Sequence, residues 1–309
     1  MKVSDLGEKG LIRRIAGRIR TDRMVVRGIG DDCAVLAGPK GKYLLFASDM
    51  LVEEVHFVGS DRPAAIGWKA LAVNVSDVAA MGGVPRCAVV SLGLPKSTSV
   101  RFVDGLYDGL RRCADRFGVN LVGGDTDRSQ KMVIDVAILG EVEKSRVVYR
   151  SGAKVGDDLF VTGRLGNSFR SGRHLKFIPR VKEARVLGER TRIHAMMDLS
   201  DGLGPDLTRL CEASGVAAVV EAAAIPRQAG ASLSQALTDG EDFELLMAVA
   251  PSQTDRLLRW ARQNLSCGLT RVGRVVPRHG KNLVIIKDER GRSILGHSRV
   301  PNLDGFRHF

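Results

Sequence analysis

Lys69-Ala-Leu-Ala-Val-Asn-Val-Ser-Asp-Val-Ala-Ala-Met-Gly-Gly-Val-Pro85 is the stretch that decides the fold. Almost every residue in it is apolar or small, which predicts a buried helix from about Ile66 to Met81, ended by two glycines and a proline. Asn74, Ser76 and Asp77 interrupt the apolar run. A carboxylate buried among alanines and valines is costly unless a cation lies beside it. Asp77 therefore either lies on the one solvent-exposed face of the helix or belongs to a cation site.

The composition is that of a globular protein with a substantial core. With 309 residues, 44% of them hydrophobic, the chain is long enough for two domains. No apolar run reaches membrane-spanning length, and the N-terminus lacks the basic-then-apolar order of a signal peptide. The five cysteines are scattered and include no CxxC pair, which argues against a zinc site or a disulfide framework. We therefore expect a cytoplasmic protein without membrane partners.

The chain is basic, with a formal net charge of +12, which favours anionic partners such as nucleic acid or phosphorylated small molecules. The basic residues are spread along the chain, aromatic residues make up only 5%, and no recognised nucleic-acid-binding motif is present. Surface arginines that serve solubility would explain the charge equally well. We therefore do not expect nucleic acid as a partner.

Strands and amphipathic helices alternate along both halves of the chain. In the first half we predict helices at 5–20 and 99–117 and strands at 43–48, 87–94, 119–122 and 132–142. In the second half we predict a helix capped by Ser200 and ending at Ser214, a helix at 252–264, and strands at 159–162, 216–221, 269–276 and 282–287. This order predicts two domains of the α/β (α+β) class. A polar, basic stretch at 146–153 marks the linker, so we place the domains at 1–145 and 146–309.

Single aspartates beside glycines recur at predicted strand ends and turns. They are Asp31, Asp32, Asp49, Asp77, Asp125, Asp198 and Asp201. If these carboxylates converged without a cation, they would repel one another and raise their own pKa values, whereas Mg²⁺ takes such hard oxygen ligands together with phosphate oxygens. The pattern therefore favours a metal–nucleotide site, although separate roles in separate turns would also explain it. The P-loop, the dinucleotide-binding glycine motif and the protein-kinase motifs are all absent from the sequence.

Several short motifs follow one another in an order that is specific for one family. They are Gly28-Ile-Gly-Asp-Asp-Cys-Ala34, Ser48-Asp49, Val55-His56-Phe57, residues 69–83, Gly123-Gly-Asp-Thr126, Arg150-Ser-Gly-Ala153, Asp198-Leu-Ser-Asp-Gly-Leu203 and Gly240-Glu-Asp-Phe-Glu-Leu245. This combination spans nearly the full chain and resembles the thiamine-monophosphate kinases. That family belongs to the superfamily of aminoimidazole-ribonucleotide synthetase and selenophosphate synthetase.

The resemblance implies an architecture and a set of site residues. The N-terminal domain would pair its strands across a homodimer into a β-barrel-like sheet, and the C-terminal domain would be of the aminoimidazole-ribonucleotide synthetase type. ATP and several Mg²⁺ ions would lie in the cleft between the domains. The implied metal ligands are Asp32, Ser48, Asp49, Asp77, Asp125, Asp198 and Asp201. The implied ATP contacts are Gly124, Asp125, Arg150 and Ser200, and the implied thiamine monophosphate contacts are His56, Glu241 and Phe306.

The implied reaction is ATP-dependent phosphorylation of thiamine monophosphate to thiamine diphosphate by direct in-line transfer. The acceptor is a phosphate monoester whose second pKa is about 6, so it is mostly ionised at neutral pH and needs no general base. It needs charge neutralisation instead, because two polyanions must approach each other. We expect Mg²⁺ held by aspartates, together with a phosphate-binding arginine, to provide this. The residues predicted to carry catalysis are therefore Asp32, Asp49, Asp77, Asp125 and Arg150.

Two features depart from the family pattern. The segment between Gly163 and Asp198 is short, so the second domain could lack a helix and its pocket could differ. Glu54 stands where many members carry glycine before the histidine, which affects the geometry expected for His56. Two alternatives stay open: another ATP-dependent enzyme of the same superfamily that acts on a different substrate, and a basic nucleic-acid-binding protein.

Overall fold

Two six-stranded sheets organise the chain in a computed structural model that describes residues 2–294. The first sheet contains β1 (Val25–Arg27), β2 (Ala34–Ala37), β3 (Lys42–Val52), β4 (Val84–Leu94), β5 (Asn120–Arg128) and β6 (Val133–Glu143). Their order is β1-β2-β3-β6-β4-β5. Only β4 and β5 pair in parallel, and the other neighbours are antiparallel.

The second sheet contains β7 (Asp158–Thr162), β8 (Ile193–Asp198), β9 (Ala217–Glu221), β10 (Leu245–Val249), β11 (Leu269–Val276) and β12 (Val284–Lys287). Their order is β12-β9-β11-β7-β10-β8, with only β9 and β12 parallel. The predicted mixed α/β fold with two sheets is confirmed. The predicted boundary between residues 145 and 146 falls in the irregular segment between β6 and β7, and it stays a prediction.

The described residues also contain seven α-helices. They are α1 (Val3–Ala16), α2 (Pro63–Ala80), α3 (Val100–Phe117), α4 (Val181–Arg190), α5 (Leu203–Ser214), α6 (Leu233–Thr238) and α7 (Thr254–Asn264). The short segment between Gly163 and Asp198 therefore still contains one helix, α4. Within residues 2–294, none of the helices combines the length and the hydropathy that crossing a membrane requires.

Helix α2 is the predicted central helix, and it is buried over nearly its whole length. It begins at Pro63, earlier than predicted, because proline suits the first turn of a helix. It ends at Ala80, and Gly82 follows with a φ of 73° in the left-handed region, as the glycine stop predicts. α2 contacts α3 and β3 of the first half and β8 of the second. It therefore lies between the two sheets and joins their cores.

Two local predictions are wrong. The Gly-Gly-Asp segment at 123–125 is not a turn, because β5 continues through it to Arg128. A Cβ on Gly124 would lie 1.8 Å from the carbonyl oxygen of Val90, so close pairing with β4 is what requires glycine. Ser200 does not cap α5, which begins at Leu203 with Gly202 in the capping position and no side-chain cap. Asp206 accepts hydrogen bonds from the backbone N–H groups there instead, at 3.0 Å from Asp201 and 3.2 Å from Gly202.

Helices α2 and α3 approach each other through glycines. A Cβ on Gly109 of α3 would lie 2.1 Å from the carbonyl oxygen of Ala64, and one on Gly67 of α2 would lie 1.9 Å from that of Leu106. Both distances are far shorter than a van der Waals contact, so any side chain at either position would push the helices apart.

We expect Gly109→Ala to lower the free energy of unfolding by about 2–3 kcal/mol, because the added methyl group overpacks the α2–α3 contact. Gly188→Ala in α4 is the matched control, since a Cβ on Gly188 would have no neighbouring atom within 4 Å. That change should be neutral or should stabilise by up to about 1 kcal/mol through helix propensity. Denaturant unfolding of both variants measures the difference, and equal effects would contradict the close packing.

Candidate active site

A polar cavity of about 340 Å³ lies where residues of both sheets meet. Its walls come from α1, β3, α2, β8, the segment that connects the sheets, and the turns after β8 and before β10. Most of the predicted site residues line it, namely Asp32, Ser48, Asp49, His56, Asp77, Arg150, Asp198, Ser200, Asp201 and Glu241. The structure thus gathers side chains that are remote in sequence into one cleft.

Three carboxylates form the centre of this cavity. One oxygen each of Asp32, Asp77 and Asp198 lies within 4.8 Å of the other two. Asp32 precedes β2, Asp77 lies on α2, and Asp198 ends β8. Asp32 and Asp198 are buried, whereas Asp77 is half-buried. The alternative that these three aspartates serve separate turns is therefore wrong.

Polar residues of α2 fix the geometry around the carboxylates. The Ser76 hydroxyl donates a hydrogen bond of 2.5 Å to Oδ2 of Asp198. The side-chain oxygen of Asn74 accepts one of 3.1 Å from the backbone N–H of Asp49. These two bonds explain why an almost wholly apolar helix contains Asn74 and Ser76. Sequence reasoning noticed both residues but gave them no partner, because their partners lie on distant strands.

The electrostatics of the cluster favour a cation. Burial raises the pKa of Asp77 well above its ordinary value, and the carboxylates of Asp49 and Asp198 raise it further. Burial also raises the pKa of Asp198, and the charge of Asp32 adds to this. Oδ2 of Asp32 is buried and has no hydrogen-bond partner among the described residues. Crowded carboxylate oxygens, one of them unsatisfied, fit a hard divalent cation such as Mg²⁺.

Arg150 lies beside this cluster, in the segment between the sheets. Its guanidinium donates a hydrogen bond of 2.7 Å to Oδ1 of Asp32. Its backbone N–H donates one of 2.6 Å to Asp31, which also forms an ion pair with Arg27. Asp31 therefore positions Arg150 and is not one of the clustered carboxylates. The guanidinium lines the cavity and can meet phosphate oxygens there.

Helix α5 contains two residues near the site that sequence reasoning missed, Asp206 and Arg209. Arg209 forms ion pairs with Asp201, which lines the cavity, and with Asp206 at 2.6 Å. Burial raises the pKa of Asp206 to about 7, and the nearby Asp201 carboxylate contributes to the shift. The i,i+3 spacing of Asp206 and Arg209 was the only signal in the sequence, and such pairs are common on helix surfaces.

The turn that contains Glu241 has a strained backbone, and ion pairs on the side away from the cavity stabilise it. Glu241 and Phe243 line the cavity with φ values of 57° and 50°, in the left-handed region. The alternate residues Asp242 and Glu244 are buried and form ion pairs with half-buried arginines. Arg173 pairs with Asp242, and Arg180 holds Glu244 with bonds of 2.6 and 2.5 Å. Burial raises the pKa of Glu241, and an ion pair with Lys69 opposes that shift.

His56 lies at the same end of the cavity as Glu241. Its Nδ1 accepts a hydrogen bond of 3.0 Å from the backbone N–H of Val52, so the tight turn after β3 fixes the ring. Glu54, in this turn, has a φ of 66°. Glycine tolerates that conformation better than glutamate, which gives a physical reason for the glycine expected at this position.

Several predicted site residues lie outside the cluster of Asp32, Asp77 and Asp198, and Asp49 and Asp201 only line the cavity beside it. Ser48 reaches the rim of the cavity, but its hydroxyl donates a hydrogen bond of 2.9 Å to Asp135. Gly124 and Asp125 lie exposed on β5, and within the described residues they are not part of the cavity lining. Phe306 lies outside the described residues. The predicted ligand and substrate contacts of these residues stay predictions.

Comparison with known proteins defines the class first. A family model described as AIR synthase related protein, N-terminal domain, matches residues 30–142, and the model of the corresponding C-terminal domain matches residues 154–286. These matches cover most of both sheets, whereas α1, β1 and Arg150 lie outside the matched ranges. The chain is thus a two-domain protein of the AIR synthase-related class, and the C-terminal domain is of the predicted type.

Close relatives then define the family. A thiamine-monophosphate kinase from Synechococcus elongatus is 35% identical over 83% of this chain and 86% of its own length. One from Aquifex aeolicus is 33% identical over the full length of both proteins. A solved structure named "AaThiL complexed with AMPPCP and TMP" superposes with a TM-score of 0.84 at 32% identity, covering 100% of this chain and 99% of that one. The chain belongs to the thiamine-monophosphate kinase family.

We expect Asp77→Asn to stabilise the metal-free protein while weakening its response to Mg²⁺. In the wild type, burial and nearby carboxylates raise the pKa values of Asp77 and Asp198 in the folded state above those of the unfolded chain, which are about 4. Because the folded state binds more protons, raising the pH above 4 lowers the free energy of unfolding. Asparagine does not titrate, so the substitution removes one of the two carboxylates that cause this loss of stability. Metal-free Asp77→Asn should therefore be about 1 kcal/mol more stable than the wild type at pH 8.

Thermal unfolding with EDTA or with Mg²⁺ measures both effects. A site filled at 100 times its dissociation constant should stabilise the wild type by about 2.7 kcal/mol. Asp115→Asn, on an exposed position of α3, is the control and should respond to Mg²⁺ as the wild type does. An equal Mg²⁺ response in Asp77→Asn would remove Asp77 from the ligand set.

Proposed function

We propose that this chain transfers the terminal phosphoryl group of ATP to the phosphate of thiamine monophosphate, forming thiamine diphosphate and ADP. The observation that carries the proposal is the cluster of Asp32, Asp77 and Asp198 beside Arg150 in one cavity. Relatives named thiamine-monophosphate kinase at 33–35% identity support it, as does the superposition with AaThiL complexed with AMPPCP and TMP. We find no observation that favours a different substrate.

The clustered residues fit Mg²⁺ at the donor end of the cavity. Asp32, Asp77 and Asp198 would hold the ion, and Asp49 and Asp201 line the same wall. Bound there, Mg²⁺ would neutralise charge on the phosphate oxygens of the nucleotide, which is the main need of phosphoryl transfer. The number of ions, and the roles of Ser48 and Asp125 as further ligands, belong to the proposal.

Arg150 and Ser200 act on the nucleotide in this proposal. Asp32 holds the guanidinium of Arg150 at 2.7 Å, so the cation is oriented before any ligand arrives. Such a preorganised charge stabilises a transition state without reorganisation during the reaction. Ser200 lines the cavity between Asp198 and Asp201 and can donate to a phosphate oxygen. Gly124 and Asp125 would complete the nucleotide contacts.

The acceptor occupies the other end of the cavity. Thiamine monophosphate combines an anionic phosphate with a permanently cationic thiazolium ring, so its binding site needs both charge signs. Glu241 lines the cavity and offers a carboxylate for the cation, and His56 and Phe243 offer flat surfaces for the rings. Phe306 would add a further aromatic contact. The acceptor phosphate then points toward Arg150 and the carboxylate cluster.

The first sheet supports a homodimer. Its outer face exposes apolar side chains to solvent, with Phe46 48% exposed, Met50 53% exposed and Val89 38% exposed, beside the polar pair Ser48 and Asp135. Exposed apolar side chains grouped on one sheet face are typical of an interface. At the end of the sheet, β5 pairs with β4 alone among the described strands. Two such faces would close against each other into the predicted β-barrel-like sheet and bring Gly124 and Asp125 of β5 into the interface region.

The cysteines support the predicted cytoplasmic setting. All five are free, and Cys33, Cys113 and Cys211 are buried. Burial raises the pKa of Cys113 and that of Cys211 to about 12, so these thiols are unreactive packing groups. Five free thiols suit a reducing compartment.

We expect the purified protein to form thiamine diphosphate and ADP in equal amounts from Mg-ATP and thiamine monophosphate. Asp77→Asn should lower kcat/KM at least about 100-fold, because a ligand of the Mg²⁺ ion that would neutralise charge in the transition state is lost. Chromatographic detection of the diphosphate together with an ADP assay measures both quantities. Asp115→Asn is the control and should keep wild-type rates.

The kinase proposal fails if the wild-type protein forms no diphosphate across a range of divalent metals and temperatures. Full activity of Asp77→Asn would leave the kinase assignment standing but would refute the role of Asp77.

We expect Phe46→Asp to convert a dimer into monomers, because it places a charge in the centre of the apolar sheet face. Val100→Asp is the matched control, since Val100 is 77% exposed at the start of α3, on the other side of the sheet. Sedimentation velocity of the wild type and both variants gives the oligomeric state. A monomeric wild type, or a dimeric Phe46→Asp, would contradict the proposed interface.

A further inference from the structure

Lys69 is a charged residue that the proposed reaction does not use, and it is fully buried. Its side chain is 0% exposed, and it is among the largest fully buried side chains of the described residues. Burial lowers the pKa of Lys69, and the charge of Glu241 opposes this shift. A buried ammonium group costs several kcal/mol of desolvation unless it is paired and hydrogen-bonded. A lysine placed in a helix of alanines and valines therefore needs a specific reason.

Three contacts of Lys69 give that reason. Its Nζ donates a hydrogen bond of 2.7 Å to the backbone carbonyl oxygen of His56 and forms an ion pair with Glu241. It also lies 5.3 Å from the centre of the Phe169 ring, within the range of a cation–π contact. His56 belongs to the turn after β3, and Glu241 and Phe169 belong to separate segments of the second half. One ammonium group thus joins three segments from both halves.

The position of Lys69 on α2 places it at the acceptor end of the cavity. Lys69, Val73 and Asp77 follow each other at intervals of four residues, so they lie on one face of the helix. Val73 and Asp77 line the cavity. Eight residues of helix separate Lys69 from Asp77 by about 12 Å along the axis. Lys69 itself is not among the lining residues, so it acts through its neighbours.

We infer that Lys69 is a positioning residue for the acceptor: it holds the Glu241 carboxylate and the His56 turn in the places where they meet thiamine monophosphate. This inference rests on the proposed function. Without the ammonium group, the Glu241 carboxylate loses its counter-charge and the His56 carbonyl loses its donor. Both losses lie at the acceptor end, far from the carboxylate cluster, so they should weaken acceptor binding while leaving nucleotide binding intact.

Steady-state kinetics of Lys69→Met tests the inference. We expect the KM for thiamine monophosphate to rise about 10–100-fold, with kcat and the KM for ATP changing less than about 3-fold, because uniform binding of one substrate is lost. Glu241→Gln should raise the same KM. If Lys69 acts through Glu241, the double variant should be no worse than the poorer single variant. Arg111→Met removes a cation from an exposed ion pair with Asp108 and should change nothing.

A second substitution keeps the test decisive if Lys69→Met does not fold. Lys69→Gln can still donate hydrogen bonds to His56 and Glu241 but carries no charge, and we expect it to fold and to raise the acceptor KM about 10-fold. A wild-type acceptor KM in a folded Lys69 variant overturns the inference. Equal losses in kcat and in both KM values also overturn it, because they indicate a general structural role. A wild-type protein without kinase activity refutes the proposed function instead, and the two failures are thereby distinguished.

Discussion

The structure depends on one constraint, which is that α2 is buried and yet carries polar groups that need partners. Buried polar groups are almost always hydrogen-bonded. On α2 their partners come from both sheets: Asn74 meets the backbone of Asp49 on β3, and Ser76 meets Asp198 on β8. Neither half of the chain could satisfy the helix alone. The hydrogen bonds that satisfy the buried polar groups of α2 therefore also fix the two halves relative to each other. They hold the elements that line the cavity in place.

The carboxylate cluster, in contrast, lowers the stability of the folded protein when no cation is bound. Burial and neighbouring carboxylates raise the pKa values of Asp77 and Asp198, and Oδ2 of Asp32 is buried without a hydrogen-bond partner among residues 2–294. A protein selected for stability alone would replace such a group with apolar residues. The repulsion becomes useful when a divalent cation binds, because it then adds to affinity. The carboxylate cluster is thus most stable when a divalent cation is bound.

Sequence reasoning succeeded where the signal was local and failed where a distant contact decided the outcome. The glycine stop of α2 and the convergence of Asp32, Asp77 and Asp198 could be predicted, because periodicity and strand-end positions carry that information. The turn predicted at Gly124 failed because the carbonyl oxygen of Val90, on another strand, decides that conformation. Sequence reasoning gave Lys69 no role. Its burial depends on turns that lie far away in the sequence.

The two ends of the cavity differ in how the chain holds them. The carboxylates at the donor end lie on α2 and at the ends of strands, which are rigid elements. Glu54 and Glu241, at the acceptor end, lie in turns with left-handed backbone, a conformation that costs about 1–3 kcal/mol for residues other than glycine. Half-buried arginines behind the second turn, Arg173 and Arg180, offset this cost through ion pairs with buried carboxylates. A change in those turns would alter the Glu241 end of the cavity without disturbing the carboxylate cluster. Under the proposed function, substrate choice could then vary in this fold while the proposed metal-binding end stays the same.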